Sequence, residues 1–145
     1  MNFFQKEPIT SFTGQYRFLS NFYPCEVFYE GILYPSSEHA YMASKTNDLQ
    51  LKKLISTILQ PSDAKKFGRK IDLRKDWDDL KLEYMEQILR IKFSNPELRE
   101  KLKSTKNRVL IEGNKWGDTF WGESPLGNGF NHLGKIIMRI RDSLL

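Results

Sequence analysis

The chain changes character at Pro35–Ser36, and that break decides between the architectures open to it. From Phe3 to Pro35, the turn residues Gly14, Asn21, Pro24, Gly31 and Pro35 interrupt Phe12, Tyr16, Phe18, Phe22, Tyr23, Phe28, Tyr29 and Tyr34. Aromatics broken up in this way predict short strands and turns. Within them, Glu26–Tyr34 reads as a small hairpin turning at Glu30-Gly31, with Val27, Phe28, Ile32 and Leu33 as its apolar arms. Beyond the break the pattern is helical. Ser36 is placed to cap a helix through EHAYMASK; a Leu/Ile stretch follows from Leu49 to Leu59, and Pro61-Ser62-Asp63 opens another helix into AKKFGRK. The longest periodic run, Asp76 to Phe93, places Trp77, Leu80, Tyr84, Ile88 and Ile91 at 3- and 4-residue spacings, the mark of an amphipathic helix. Pro96 restarts a helix through Leu102, and Val109-Leu110-Ile111 reads as a short buried strand. Gly113 to Gly129 holds five glycines and is expected to be an irregular loop, before a last helix from Asn131 to Leu144. Strand signals do not alternate regularly with helices, which leaves little room for a doubly wound sheet, and the expected class is α+β, predominantly helical.

At 145 residues, with 39% hydrophobic and 28% charged, the chain suits one ordinary globular domain over residues 1–145. It has one cysteine, Cys25, and two histidines, His39 and His132, so no zinc motif or disulfide framework can be written. No apolar run reaches membrane-spanning length, and MNFFQKEPITSF lacks the pattern of a signal peptide. The expected compartment is the cytoplasm, with no membrane partner. The formal charge of +5 favours anionic partners. Basic residues gather in two runs, Lys65, Lys66, Arg69, Lys70, Arg74 and Lys75, and then Arg99, Lys101, Lys103, Lys106 and Arg108. Each run also fits a plain solvated helix face.

Three segments combine rare side chains with irregular backbone or a helix start. In Phe18-Leu19-Ser20-Asn21-Phe22-Tyr23-Pro24, aromatics beside Asn and Ser suit stacking on a flat ring; the alternative is a turn pinned into the core by Phe18 and Phe22. In the Ser36 helix, Glu38, Tyr41, Met42 and Lys45 fall on one face and can line one wall of a pocket. Glu38 lies in the first turn, where the helix dipole favours a carboxylate whatever its function and tends to keep it ionised, as a base or charge stabiliser. In Glu112-Gly113-Asn114-Lys115-Trp116-Gly117-Asp118-Thr119-Phe120-Trp121-Gly122, the glycines allow close backbone approach, Trp116 or Trp121 can stack, and Asp118 can orient water or a ribose hydroxyl; structural Gly-Trp turns look the same. These glycines form neither a dinucleotide fingerprint nor a Walker loop.

Taken in order, FLSNFYP, YPSSEHAYMASK, Gly68-Arg69 with Asp76-Trp77, KFSNPELREKL, LIEGNKWGDTFWG and NHLGKIIMRIR resemble the successive signatures of the NADAR (YbiA-like) family of N-glycosidases, from about Phe12 to Leu145. The resemblance implies the YbiA-like fold and hydrolysis of an N-glycosidic bond without metal or organic cofactor. The implied substrate is a phosphorylated ribosylamino-pyrimidine of riboflavin biosynthesis, releasing ribose 5-phosphate. Other members resemble enzymes that remove ADP-ribose from guanine bases of nucleic acid. A non-catalytic ADP-ribose or nucleotide-binding module and a small basic nucleic-acid-binding protein are the alternatives of another class. The resemblance implies Glu38 and Asp118 as the two carboxylates, one stabilising charge at the anomeric carbon while a second group activates water or assists the departing base. It implies Lys45 as a further catalytic candidate, able to attack that carbon if burial keeps the amine neutral. Trp77, with Phe18 or Trp121, is expected to stack on the base; Arg69 and Asn21 are expected to hold phosphate or ribose oxygens, and Asn131 is expected to bind substrate. Lys115 and Gly117 depart from the small or acidic residues of many relatives around the aspartate, and a basic rim there would favour a larger polyanion.

Overall fold

The computed structural model describes residues 6–144; residues 3–5 of the aromatic N-terminal segment, and Leu145, lie outside the described residues. The class is α+β and predominantly helical, with one two-stranded sheet among the described residues. The chain forms two units, Asn21–Asn95 and Met1–Ser20 with Pro96–Leu145.

The Asn21–Asn95 unit begins with the expected hairpin. Strands β1 (Val27–Tyr29) and β2 (Ile32–Tyr34) pair antiparallel, Val27 opposite Tyr34 and Tyr29 opposite Ile32. The two-residue loop puts Glu30 at φ 49° and Gly31 at φ 85°, the doubly left-handed backbone that matches strand twist in a tight hairpin. Helix α1 (Ser37–Ser44) follows directly, its N-terminus capped by the Ser36 hydroxyl, which accepts from the His39 amide. Every residue of α1 is buried, because α2 (Leu49–Ser56), α3 (Pro61–Gly68), α4 (Trp77–Lys92) and both strands pack around it. Gly68 at the end of α3 lies where a Cβ would strike Met42 of α1, so the glycine sets how closely these helices approach. His39 is a structural residue: Nε2 donates to the Ile58 carbonyl at 2.8 Å and Nδ1 meets the Ser36 hydroxyl at 2.7 Å, while burial lowers its pKa and favours the neutral ring. The Tyr29 hydroxyl donates to Gln87 Oε1 at 2.6 Å and ties the hairpin to α4.

The other unit holds a 3-10 helix (Gly14–Leu19), α5 (Pro96–Ser104) and α6 (His132–Ser143) around Phe12, Leu19, Leu98, Leu102, Leu110, Ile136 and Ile137. The strand expected at Val109-Leu110-Ile111 is corrected here: Leu110 makes a single parallel bridge with Ile9, and Val109 is 42% exposed. The bridge cannot lengthen into a ladder, because the Glu112 amide donates to Asn131 Oδ1 and the Gly113 amide turns back to Ile111. Between Gly113 and Gly129 the chain is irregular as expected, with a second isolated bridge between Gly113 and Glu123.

Candidate active site

In the Asn21–Asn95 unit the candidate site is built on α1. Glu38 is buried in its first turn, its amide donating to the Asn21 carbonyl at 3.1 Å. Beside it the Ser37 hydroxyl donates to Asn21 Oδ1 at 2.9 Å, and Asn21 Nδ2 donates to Met85 Sδ at 3.6 Å. Asn21 is therefore a buried bracket between α1 and α4, with both ends of its amide engaged. Two turns after Glu38, Lys45 closes the helix as its C-cap, half-buried, with Nζ 6.0 Å from the centre of the Tyr41 ring. Burial pushes the Lys45 ammonium below its ordinary range; the Glu38 carboxylate opposes the shift, and the charges of Arg69, Lys65 and Lys81 add to it. Glu38, Lys65, Arg69 and Lys81 thus all act on the Lys45 charge, and Lys81 Nζ also pairs with Asp78 Oδ1 at 3.4 Å.

The spacing explains how those cations reach one place. Lys65 and Arg69 are four residues apart on α3 and its C-cap, and Lys81 lies four residues after Trp77 on α4, so each pair occupies one helix face. Trp77 is 5% exposed, its indole flanked by Tyr41 at 5.2 Å and by Tyr84, stacked at 6.3 Å and 14°. Arg74 fixes this edge: Nη1 donates to the Tyr84 hydroxyl at 2.6 Å and its amide to the Lys45 carbonyl at 2.8 Å. Trp77 is a buried wall whose aromatic neighbours are tyrosines. Of the residues expected from sequence, Glu38, Lys45 and Arg69 share one electrostatic neighbourhood, Trp77 reaches it through Tyr41, and Asn21 seats the helix that carries it. Tyr41 was expected in the pocket wall, whereas Lys65, Lys81 and Tyr84 were not expected at the site.

In the other unit, Asp118 organises the glycine-rich loop. Its Oδ1 accepts from the amides of Phe120 at 3.1 Å and Trp121 at 2.9 Å. Asn114, buried, clamps the same turn by accepting from the Asp118 amide at 3.0 Å and donating to the Asp118 carbonyl at 2.9 Å and Glu112 Oε2 at 2.8 Å. Gly122 packs against Glu112 and Asn114 with no room for a Cβ. Trp121 is half-buried, edge-on to Phe120 at 4.9 Å, and His132 lies 4.6 Å from Phe120 and stacks on Phe130 at 5.4 Å. Asn131 is buried at φ 49°, its Nδ2 donating to the Leu110 carbonyl at 2.9 Å and its Oδ1 accepting from the Glu112 amide at 3.0 Å. Both polar atoms of Asn131 therefore hold backbone. Phe18 is buried and lies in the wall of a cleft with Tyr16 and Arg108, whereas Lys115 and Trp116 are exposed. Among the described residues no group of three His, Cys, Asp or Glu side chains is placed to hold a metal ion, and no helix is long and apolar enough to cross a membrane.

This arrangement of helices and hairpin is one already seen in solution: the NMR structure of the Escherichia coli protein YbiA matches it with a TM-score of 0.84 at 32% identity, covering 97% of this chain and 86% of that one. Residues 3–145 match the NADAR domain, and the chain belongs to the NADAR domain family. The N-glycosidase YbiA of Escherichia coli is 34% identical over 137 residues, covering 92% of this chain and 85% of that protein. The N-glycosidase Npun_R5314 of Nostoc punctiforme is 33% identical over 135 residues, covering 89% of this chain and 86% of that protein. The riboflavin biosynthesis protein VVA0006 of Vibrio vulnificus is 38% identical over 130 residues, 88% of this chain, and the chain spans only 35% of that protein's length.

Proposed function

We propose that this chain is an N-glycosidase that hydrolyses the N-glycosidic bond of a phosphorylated ribosylamino-pyrimidine of riboflavin biosynthesis, releasing ribose 5-phosphate. The names of the YbiA and Nostoc relatives support the reaction class, and the name of the Vibrio relative supports the pathway. The observation that carries the reading is buried Glu38 acting on half-buried Lys45 along α1, with the charges of Lys65, Arg69 and Lys81 acting on the same amine. Breaking the bond develops positive charge at the anomeric carbon, which a carboxylate held in a water-poor site stabilises strongly. Glu38 has that burial. The surrounding cations suit the 5-phosphate, and Arg69 presents a planar fork of donors to it. In the hydrolysis, water oxygen bonds to the anomeric carbon as the carbon–nitrogen bond breaks, one water proton is taken up by a carboxylate, and a proton goes to the departing amine. Asp118 is the second carboxylate of the proposal, with Oδ1 engaged by the Phe120 and Trp121 amides.

The lowered pKa of Lys45 favours a second route on the same bond. A neutral Lys45 amine attacks the anomeric carbon, the base leaves with a proton, and the sugar opens to a Schiff base that water then cleaves. Release of base and sugar is to be measured from a ribosylamino-pyrimidine 5-phosphate and, in parallel, from an ADP-ribosylated guanine oligonucleotide, with wild type and Glu38→Gln. Turnover of the first that disappears in the variant is expected. Turnover of the oligonucleotide alone would replace the metabolite by a modified base, and release from neither substrate would overturn the enzyme reading. Borohydride added during turnover traps a covalent sugar adduct on Lys45 only if the Schiff-base route operates.

A further inference from the structure

The second basic run of the sequence is not a uniform solvated face. Lys101, Lys106 and Arg108 converge with Lys6 on a cleft of about 560 Å3 formed within the Met1–Ser20 and Pro96–Leu145 unit, between the 3-10 helix and the end of α5. No carboxylate is among its lining residues, and of the residues expected at the active site only Phe18 lines it.

Its polar wall is held in place from behind. Arg108 Nε donates to the Glu7 carbonyl at 2.7 Å and Nη1 to the Tyr16 hydroxyl at 2.6 Å, with the guanidinium 5.3 Å from the centre of the Tyr16 ring. Arg141, 4% exposed, donates through Nη1 to Thr105 Oγ1 at 3.0 Å and to the Arg108 carbonyl at 2.8 Å. These two partners are neutral, and Arg141 Nε meets no hydrogen-bond partner among the described residues. The buried guanidinium, hydrogen-bonded to neutral groups and with the Asp142 carboxylate acting on it, adds a cation behind the four that line the cleft. Glu97 bridges Lys101 at 3.5 Å on the outer side, an exposed pair of the kind that holds weakly and yields to a competing anion.

We propose that this cleft binds a nucleoside phosphate of mononucleotide size, at a site separate from the one that cleaves the glycosidic bond. The cations Lys6, Lys101 and Lys106 take the phosphate, and the Ser104 hydroxyl and the Asn107 side-chain amide take sugar oxygens. The volume is that of a small-ligand pocket. A groove for a nucleic-acid strand repeats its aromatic platforms along the backbone path, whereas here Phe18 is buried and Tyr16 is the one half-exposed ring in the lining.

The test uses the full chain, with AMP as probe and adenosine, inorganic phosphate and a ten-residue oligothymidylate as comparisons. Calorimetry gives affinities, and amide NMR shifts locate the site. The variant is Lys101→Gln with Lys106→Asn: Lys106 sits at φ 54°, a backbone that asparagine tolerates, and Arg108 is kept because it anchors the wall. AMP is expected to shift the amides of Tyr16 and Ser104 to Arg108, to bind at least fivefold more weakly to the variant, and to outbind both adenosine and phosphate. Absence of those shifts, or equal affinity in the variant, overturns the site. Adenosine or phosphate matching AMP overturns the nucleotide assignment, and tighter binding of the oligothymidylate overturns it in favour of a strand groove. Glycosidase turnover in the variant is expected within twofold of wild type; a tenfold loss would merge the cleft with the catalytic site and overturn its independence.

Discussion

Replacing Lys92 by methionine should change how the stability of this protein depends on pH, and the size of the change follows from where the ammonium sits. Lys92 is 1% exposed on the inner face of α4, seven residues after the equally buried Met85, with Nζ 5.2 Å from the Phe93 ring and 5.9 Å from that of Tyr23. Burial, opposed in part by Cys25, brings its pKa from the ordinary 10.5 down to about 8. Below pH 8 the folded and unfolded chains both hold the proton, so Lys92 adds no slope. Between about 8 and 10.5 the unfolded chain binds a proton that the native one has lost, and stability rises with pH; the gap, at about 1.4 kcal/mol per pH unit, comes to roughly 3 kcal/mol. The methionine variant lacks this term, so the stability of wild type relative to Lys92→Met should rise by roughly 3 kcal/mol from pH 7.5 to 10.5. Hydrogen bonds or packing altered by the substitution shift that difference by a constant and leave its slope intact. Tyr34, raised to about 12, titrates in both proteins and cancels; a Cys25→Ala background removes the thiol, whose pKa burial also raises. Urea unfolding at half-unit pH steps supplies the measurement. A difference constant to within about 0.5 kcal/mol across the range would refute the argument that this ammonium is held in a poorly solvated place.

Four other outcomes are expected. Asn131→Ala should cost about 3–5 kcal/mol in chemical unfolding, since it leaves a buried carbonyl and amide unmatched and puts a Cβ-bearing residue without a local partner at φ 49°; Asn131→Gly, which removes only the backbone strain, should cost about 1 kcal/mol less. Gly134→Ala should destabilise despite the roughly 1 kcal/mol that alanine gains in a helix, because the new Cβ would strike the Leu110 carbonyl and the Asn131 amide; an unchanged or raised melting temperature would contradict it. Asp118→Asn keeps an oxygen for the Phe120 and Trp121 amides, so its melting temperature should stay within about 2 °C of wild type while kcat falls about a hundredfold; full activity would make Asp118 a loop cap alone. Lys45→Arg keeps the charge and loses the nucleophile, so retained turnover assigns the reaction to water and lost turnover to the amine.

What the sequence could show was whatever lies within a few positions of its cause. Ser36 capping α1, the prolines opening α3 and α5, and the Glu30-Gly31 turn are local events, and the structure has each where the pattern predicts it. The strand at Val109–Ile111 failed for the opposite reason: apolar residues say that a segment wants burial, but a ladder needs a run of free amides, and the one that would extend this bridge is taken by Asn131, 19 positions beyond Glu112. The same limit governs the candidate site. Asn21, Asp118 and Asn131 were expected at the site, yet nothing nearby in the chain tells whether such a side chain faces a ligand or braces backbone. Asn21 reaches Met85, 64 positions away, and that partner is what makes it a bracket.

Charge was harder still to read, because a run of lysines looks the same whether it faces water or an anion. Helix spacing separates the cases once neighbours are known: Lys65 and Arg69 share a face and both act on the Lys45 charge, whereas Lys66 and Lys70, on other faces, are exposed. Lys92 shows the inverse, a cation at the spacing of a core position, where periodicity alone predicts an apolar residue. Helical period thus assigned the faces correctly and was silent on their chemistry. A cation on an inward face marks a place where the fold tolerates a cost in stability, and in this chain Lys45 and Lys92 both carry that cost in the unit that holds Glu38. Lys45 has a carboxylate within its field and Lys92 a half-buried thiol, so the two lysines separate by partner, and only the first has the acidic neighbour that the proposed reaction uses.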